Sequence, residues 1–502
     1  MQRISSWCCL ILAVATATAA EDWAWNKPHA TVLPTGDLEW APQDFIYETG
    51  TKVRYIDYAA GDDANDGSTR DSAWRHHPGD PAATGRAAAD AGADTYVFKR
   101  GVIYRGRIVL DRSGTAEQPI RLTSDPEWGS GQAVIAGSEA VTGWQQGAQH
   151  PDLPDADRVW YADLDYAPRS VWMVADDGSV TRIAIARTPN WTITDPEDVM
   201  SEWWTWQQPE WWKDQNKTEV DGKAAHLGID TEHITREADY YQDAVIWTEW
   251  GIVMGTPFPT AVERVDTERG ALAFHGIWWR DTGKIITGNR YYLEDKPHYL
   301  DASGEHWFDK QGAGGRLYIR LPDDRDPGSV RIEAARRYSL IEDVASEAAP
   351  PRLDEIGEEG RAGLDTSGVR HVTISGLAFR FTNQWWDLPY PTWMHKQVDP
   401  AAIRLRGTSD GIRISNCDFA HVTQAIQIEP INDRTHNGAL HISDNHIRET
   451  DDAAIQVGKG NGSLQHADVL RNRLHRIGLR PSRQSSGHAL TVSFPTTMHV
   501  AR

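Results

Sequence analysis

The chain has 502 residues, 51 of them basic and 72 acidic, for a formal charge of −21. A surface this acidic repels phosphate backbones, which argues against nucleic-acid partners, and it disfavours strongly anionic polymers unless basic residues gather locally. Only Cys417 of three cysteines lies beyond the first twenty residues, so stability is expected from a large core rather than from intramolecular disulfides.

Residues 1–20 read as an export signal. Arg3 supplies a positive start, residues 7–20 are apolar or small, and Ala17-Thr18-Ala19 or Thr18-Ala19-Ala20 offers a small-residue cleavage site that removes Cys8 and Cys9. The run is too short to span a bilayer, and no other segment approaches the ~20 apolar residues required. The expectation is a secreted protein, periplasmic or extracellular, with no membrane span.

Residues 21–165 begin with a lead-in rich in Pro and Trp. Short β runs follow at 53–58, 95–99, 107–110, 120–123 and 133–135, separated by Gly, Asp, Ser or Pro. The one helical pattern lies at 82–91. This predicts the first turns of an all-β solenoid behind a capping helix. Residues 166–345 differ: they hold the dense cluster Trp203, Trp204, Trp206, Trp211 and Trp212, and alternating runs at 316–321 and 329–333. They read as an inserted β-rich subdomain. The 23 tryptophans of the chain include candidates for stacking on sugar rings, although packing in a core is the default role of an indole.

Residues 346–502 carry a repeat. An in-out-in triplet recurs as Val372-Thr373-Ile374, Ile412-Arg413-Ile414, Leu440-His441-Ile442, Ala467-Asp468-Val469 and Met498-His499-Val500. An apolar anchor follows five residues after the first four triplets, at Phe379, Phe419, Ile447 and Leu474, beyond a turn marked by Gly376, Asn416, Asp444 with Asn445, or Asn472. A second triplet completes each unit, starting at Ile403, Ile426, Ile455 and Leu490. From Ile374 to Ile414, Ile442, Val469 and Val500 the steps are 40, 28, 27 and 31 residues. Such a period means stacked units, and alternating strands without long helices predict a parallel β-helix. The longest step contains an aromatic excursion with Trp385, Trp386 and Trp393, of the kind that emerges on a binding face. No polar cap follows the last triplet, so a truncated product or a partner over the exposed end is expected.

These features resemble secreted bacterial right-handed parallel β-helix proteins of the pectin-lyase-like superfamily. The resemblance rests on Tyr55-Ile56-Asp57 with residues 61–67, on Lys99-Arg100-Gly101 with Ser113-Gly114-Thr115, and on Gln118-Pro119-Ile120. In the insert it rests on residues 186–190 and 288–294, and on Leu300-Asp301 with residues 304–307. The group it resembles is glycoside hydrolase family 141, which implies a solenoid fold and action on a polysaccharide. The superfamily mixes hydrolases, lyases and proteins without assigned activity, so the fold alone does not select a reaction.

The register of the repeat predicts where chemistry gathers. Strands of a parallel ladder stand ~4.8 Å apart, so equivalent residues form columns. Asp399, Asp451, Asp452 and His488 precede the second triplets and share one edge. Arg404, Gln427 and Gln456 form an outward row, with Arg406 and Glu429 in the next. Beside Trp385, Trp386 and Trp393, this reads as a sugar cleft in which the arginines and glutamines bind substrate. Glycoside hydrolysis needs two carboxyl groups, ~5–5.5 Å apart for retention and ~6.5–9.5 Å for inversion. Asp399, Glu429, Asp451 and Asp452 are the candidates, with His488 as an orienting or binding group. Thr450-Asp451-Asp452 also reads as a hydrogen-bonded turn. Two other readings stay open: a lyase acting on uronic-acid glycans through Lys396, Arg404 and Arg406, and a non-catalytic carbohydrate-binding solenoid. Asp62, Asp63, Asn65 and Asp66 form an oxygen-rich loop that could take calcium, although it lacks the distant glutamate of a full calcium loop. No other cofactor is expected, and the sequence leaves the oligomeric state open.

Overall fold

The computed structural model describes residues 31–36, 39–90, 92–147, 150–195, 197–208, 218–220, 223–250, 253–275, 285–348, 366–384, 400–429, 436–458, 463–479, 489–492 and 495–501. The expected signal at 1–20 lies outside them. The chain is all-β, and twenty of its strands form three parallel sheets. The first sheet stacks Val53–Ile56, Thr95–Arg100, Ile120–Gly129, Val372–Ser375, Ile412–Ser415, His436–Ser443, Ser463–Leu470 and Pro495–Ala501 in chain order. The second stacks Ile103–Arg105, Val134–Ala136, Ala378–Arg380, Asp418–Val422, His446–Thr450 and Arg473–His475. The third stacks Ile108–Leu110, Ile341–Asp343, Ile403–Leu405, Ile426–Ile428, Ile455–Val457 and Leu490–Val492. From Thr95 onward the chain visits the three sheets in turn, so each predicted triplet and anchor falls on its own sheet.

Alternation decides what each strand buries. Ile374, Ile414 and Ile442 align on the first sheet, Phe379, Phe419 and Ile447 on the second, and Ile403, Ile426 and Ile455 on the third. All nine are fully buried in one apolar column. Stacking places like on like, as where the rings of Phe379 and Phe419 lie parallel with centroids 4.7 Å apart. The turns are held by asparagine. Asn445 donates through Nδ2 to the Ile414 carbonyl at 2.9 Å and accepts from the Cys417 amide at 3.0 Å, and Asn472 donates to the Ile442 carbonyl at 2.8 Å. Cys417 is a free thiol whose pKa burial pushes up to about 12.

The antiparallel part begins earlier than residue 166. Ser138–Val141 pairs with Arg331–Ala335, and Trp160–Leu164 with Gly314–Arg320. The excursion therefore leaves after Val134–Ala136 on the second sheet and returns at Ile341–Asp343 on the third. It holds an eight-stranded sheet, a five-stranded sheet and a four-stranded sheet. The helical pattern at 82–91 yields only Gly85–Ala88. Trp203 and Trp206 are core residues: Trp206 stacks on Tyr291 at 3.6 Å, and Trp203 meets Tyr292 edge to face at 4.5 Å. Trp211 and Trp212 lie outside the described residues. Among the described residues no helix is long and apolar enough to cross a membrane.

Candidate functional site

The predicted rows on the third sheet form in register. Arg404 aligns with Gln427 and Gln427 with Gln456, and Glu342 joins the row beside Arg404. They do not form an open cleft: Arg404, Arg406, Gln427, Glu429 and Gln456 are all buried. The ~4.8 Å strand spacing lets each side chain reach its neighbour. Arg404 donates to Gln427 Oε1 at 3.2 Å, and Gln427 donates to Glu429 Oε1 at 3.2 Å, the oxygen that Gln456 also contacts. Glu342 extends the row to Arg107 at 2.5 Å. Arg406 lies at the neighbouring Asp343, whose carboxylate accepts the backbone amides of Arg406 and Gly407.

Glu429 and the Asp451-Asp452 pair stand at opposite ends of this sheet. The Gly458 amide bonds the Ile428 carbonyl, which places Glu429 level with Gly458, whereas the aspartates precede Ile455. Four extended residues from Ala454 to Gly458 already span ~13 Å, beyond the separation of a catalytic pair. Glu429 therefore does not partner Asp451. Asp399, His488, Trp385, Trp386 and Trp393 lie outside the described residues.

Asp451 is brought to a different place. Its Oδ1 pairs with Arg182 of the strand Val180–Ile185, and its Oδ2 accepts from Gln384 Nε2 at 2.6 Å. Asp452 is buried and accepts from Gln424 at 3.2 Å, and Thr450 Oγ1 closes the turn on the Asp452 carbonyl at 2.7 Å. The turn reading of Thr450-Asp451-Asp452 thus holds together with a bridge from Asp451 to the excursion. Of that bridge Arg182 lines a cleft of about 500 Å³, while Asp451 is buried against it. Arg182, Trp191 and Ile193 line one side; His421, Arg448, Glu449 and Arg476 line the other.

Backbone geometry aims the second wall. Phe381, His421, Glu449 and Arg476 each follow the same position of the second sheet, and all adopt left-handed φ values of 61°, 56°, 53° and 53°. That conformation costs a residue with a Cβ roughly 1–2 kcal/mol, and such strain gathers at functional sites. The column packs on the excursion through Phe381, whose ring lies 4.9 Å from that of Trp172. Arg182 lies over the Trp172 ring itself, its guanidinium 5.1 Å from the ring centroid.

The charges of the cleft are paired. Arg476 Nε meets Glu449 Oε1 at 2.5 Å. Arg448 and Arg380 both bind Asp418, and His446 lies 3.4 Å from it. Burial alone would raise the Asp418 carboxyl, but these partners hold it well below the usual carboxylate range. Burial, with Arg182, Arg380 and Arg448 nearby, lowers the His421 pKa to about 3, so His421 is neutral at physiological pH. The arrangement offers Glu449, a neutral imidazole and an indole in the cleft, with Asp451 buried beside it, and Arg476 and Arg182 hold the two acids. Sequence reasoning placed Asp451 but missed Arg182, Trp191, His421, Glu449 and Arg476. The one local signal was the column position shared by His421, Glu449 and Arg476.

The oxygen-rich loop turns its acids onto its own chain. Asp62 caps the Ala64 amide, Asp63 accepts from the Arg75, His76 and Thr84 amides, and Asp66 binds Ser68 and Ser72. Among the described residues no group of three or more His, Cys, Asp and Glu could hold a metal ion.

No family model matches the sequence, and no curated protein matches it. Two solved structures are similar to the chain. One, described as "Glycoside hydrolase", is 13% identical with a TM-score of 0.49, over 85% of this chain and 84% of that one. The other, "The complex structure of XylC with xylose", is 11% identical with a TM-score of 0.35, over 84% of this chain and 56% of that one.

Proposed function

We propose that the protein is a secreted, polysaccharide-degrading glycoside hydrolase, built as a right-handed parallel β-helix of the pectin-lyase-like kind and related to glycoside hydrolase family 141. The observation that carries this reading is the cleft between the excursion and the second sheet. Glu449 lines the cleft, and Asp451, two positions along the chain, is buried against Arg182 of the same cleft. Each is held by an arginine of the same cleft, and Trp191 offers a face for a sugar ring.

In this reading the partly exposed Glu449 acts as the acid or base that meets the glycosidic oxygen, and Asp451 activates water or stabilises developing positive charge. Arg182 and Arg476 hold both groups in place until substrate arrives. His421, being neutral, serves as a hydrogen-bonding group rather than as a cation. The arginines also support a second reading, a lyase, because guanidinium groups neutralise the carboxylate of a uronic acid.

The test incubates the purified protein with neutral and uronic-acid polysaccharides and follows reducing ends and ultraviolet absorbance together. New reducing ends without absorbance support the hydrolase. Absorbance from unsaturated ends supports the lyase. Binding without any product leaves a carbohydrate-binding solenoid.

A further inference from the structure

The lead-in has no regular secondary structure over residues 39–50, yet it crosses the repeats in strict order. Tyr47 packs with Ala73, Val97 and Trp128 at the first repeats. Phe45 lies against Gly376 so closely that a Cβ there would come within 2.5 Å of its ring. The Gln43 carbonyl accepts from Asn416 Nδ2 at 2.7 Å, and its amide donates to Asp444 Oδ1 at 2.8 Å. Trp40 donates through Nε1 to the Arg471 carbonyl at 2.8 Å, and its ring is 5.4 Å from that of His446.

Gly376, Asn416, Asp444 and Arg471 are the equivalent left-handed turn residues of four successive repeats, with φ between 50° and 65°. Three strand spacings separate the first from the last, ~14 Å, and five extended residues from Phe45 to Trp40 cover ~16 Å. The segment thus runs along the stack at the pitch the repeats impose. Side chains facing the turns are Trp40, Phe45 and Tyr47, whereas Ile46 points outward and is 72% exposed.

The contacts join residues 431, 401 and 373 positions apart. Closing such loops before the repeats exist would order the chain without compensating contacts. We propose that residues 39–50 form a strap that docks last, once the final repeats are in place, and then locks the turn column from Gly376 to Arg471 against local opening. The strap is coupled to the second sheet through His446, which touches both Trp40 and the Asp418 cluster.

Hydrogen exchange on the full chain tests this without relying on any activity. In Trp40→Ala and Phe45→Ala, amides in 416–419 and 444–447 should exchange at least tenfold faster, while those in 171–185 keep the native rate. Ile46→Ala, in the same segment but facing outward, should leave all of them unchanged. Pulse labelling during refolding should show the Gln43 amide gaining protection after 412–415 and 440–443. Unchanged exchange in both core-facing variants, or protection of Gln43 as early as those strands, would overturn the proposal.

Discussion

Replacing Asp451 should destabilise the chain far more than replacing Asp451 and Arg182 together. The Asp451 side chain is 1% exposed and that of Arg182 is 19% exposed, so the pair sits at the margin of water. Asp451→Leu removes a partner of a largely buried guanidinium and the acceptor of Gln384 Nε2, which should cost about 3–5 kcal/mol. Arg182→Met leaves the carboxylate buried with only Gln384 as a described side-chain partner, at a similar cost. The double variant Arg182→Met with Asp451→Leu removes both charges and keeps the volume, and such exchanges are near neutral or stabilising. Urea unfolding of the four proteins closes the cycle without adding salt that would screen the charges. The expected coupling is at least about 2 kcal/mol. Single variants that each cost less than about 1 kcal/mol and add in the double would show a solvated surface pair and refute the reasoning.

Four further results follow from named groups. Burial, reinforced by Asp301, pushes the Glu305 carboxyl up to about 9 from 4.5. The folded state then holds a proton that the unfolded state releases, so stability should fall as pH rises from about 4.5 to about 9; Glu305→Gln should remove that slope in melting temperatures taken across the range. His421 has the opposite sign: lowered from 6.5 to about 3, it makes stability fall as pH drops through that window, and His421→Asn should flatten the acid limb of the same profile. Asn445→Ala strands the Cys417 amide and the Ile414 carbonyl and should cost about 2–5 kcal/mol in urea unfolding. Trp206→Ala deletes an indole stacked on Tyr291 and bonded to Thr248 Oγ1, and should cost about 3–5 kcal/mol in the same assay.

The repeats were legible because their signal is local. Period-two alternation and a turn residue recur at each unit, and the rows they predicted pair as expected, Arg404 with Gln427 and Gln456. The start of the excursion was not legible. Ser138–Val141 and Trp160–Leu164 have the same short β character as the strands before them, and only their partners, Arg331–Ala335 and Gly314–Arg320, reveal the different sheet. Burial was misjudged on the third sheet. An outward position in an isolated repeat looks solvated, but stacked arginine, glutamine and glutamate side chains bond one another and close the row. The cleft was legible only from Asp451, since its partner Arg182 is 269 residues distant and no spacing rule links them. Trp206, in the Trp-dense stretch of the insert, takes the default role of an indole and packs in the core of the excursion.

The most direct measurement is the turnover of the wild type, Glu449→Gln and Asp451→Asn on a polysaccharide that the wild type cleaves, with folding of each variant checked by its urea transition. The expected result is a fall in kcat of at least a hundredfold in both variants, with native-like unfolding of Glu449→Gln. Full activity in both folded variants would contradict the assignment of this cleft as the site of glycoside hydrolysis.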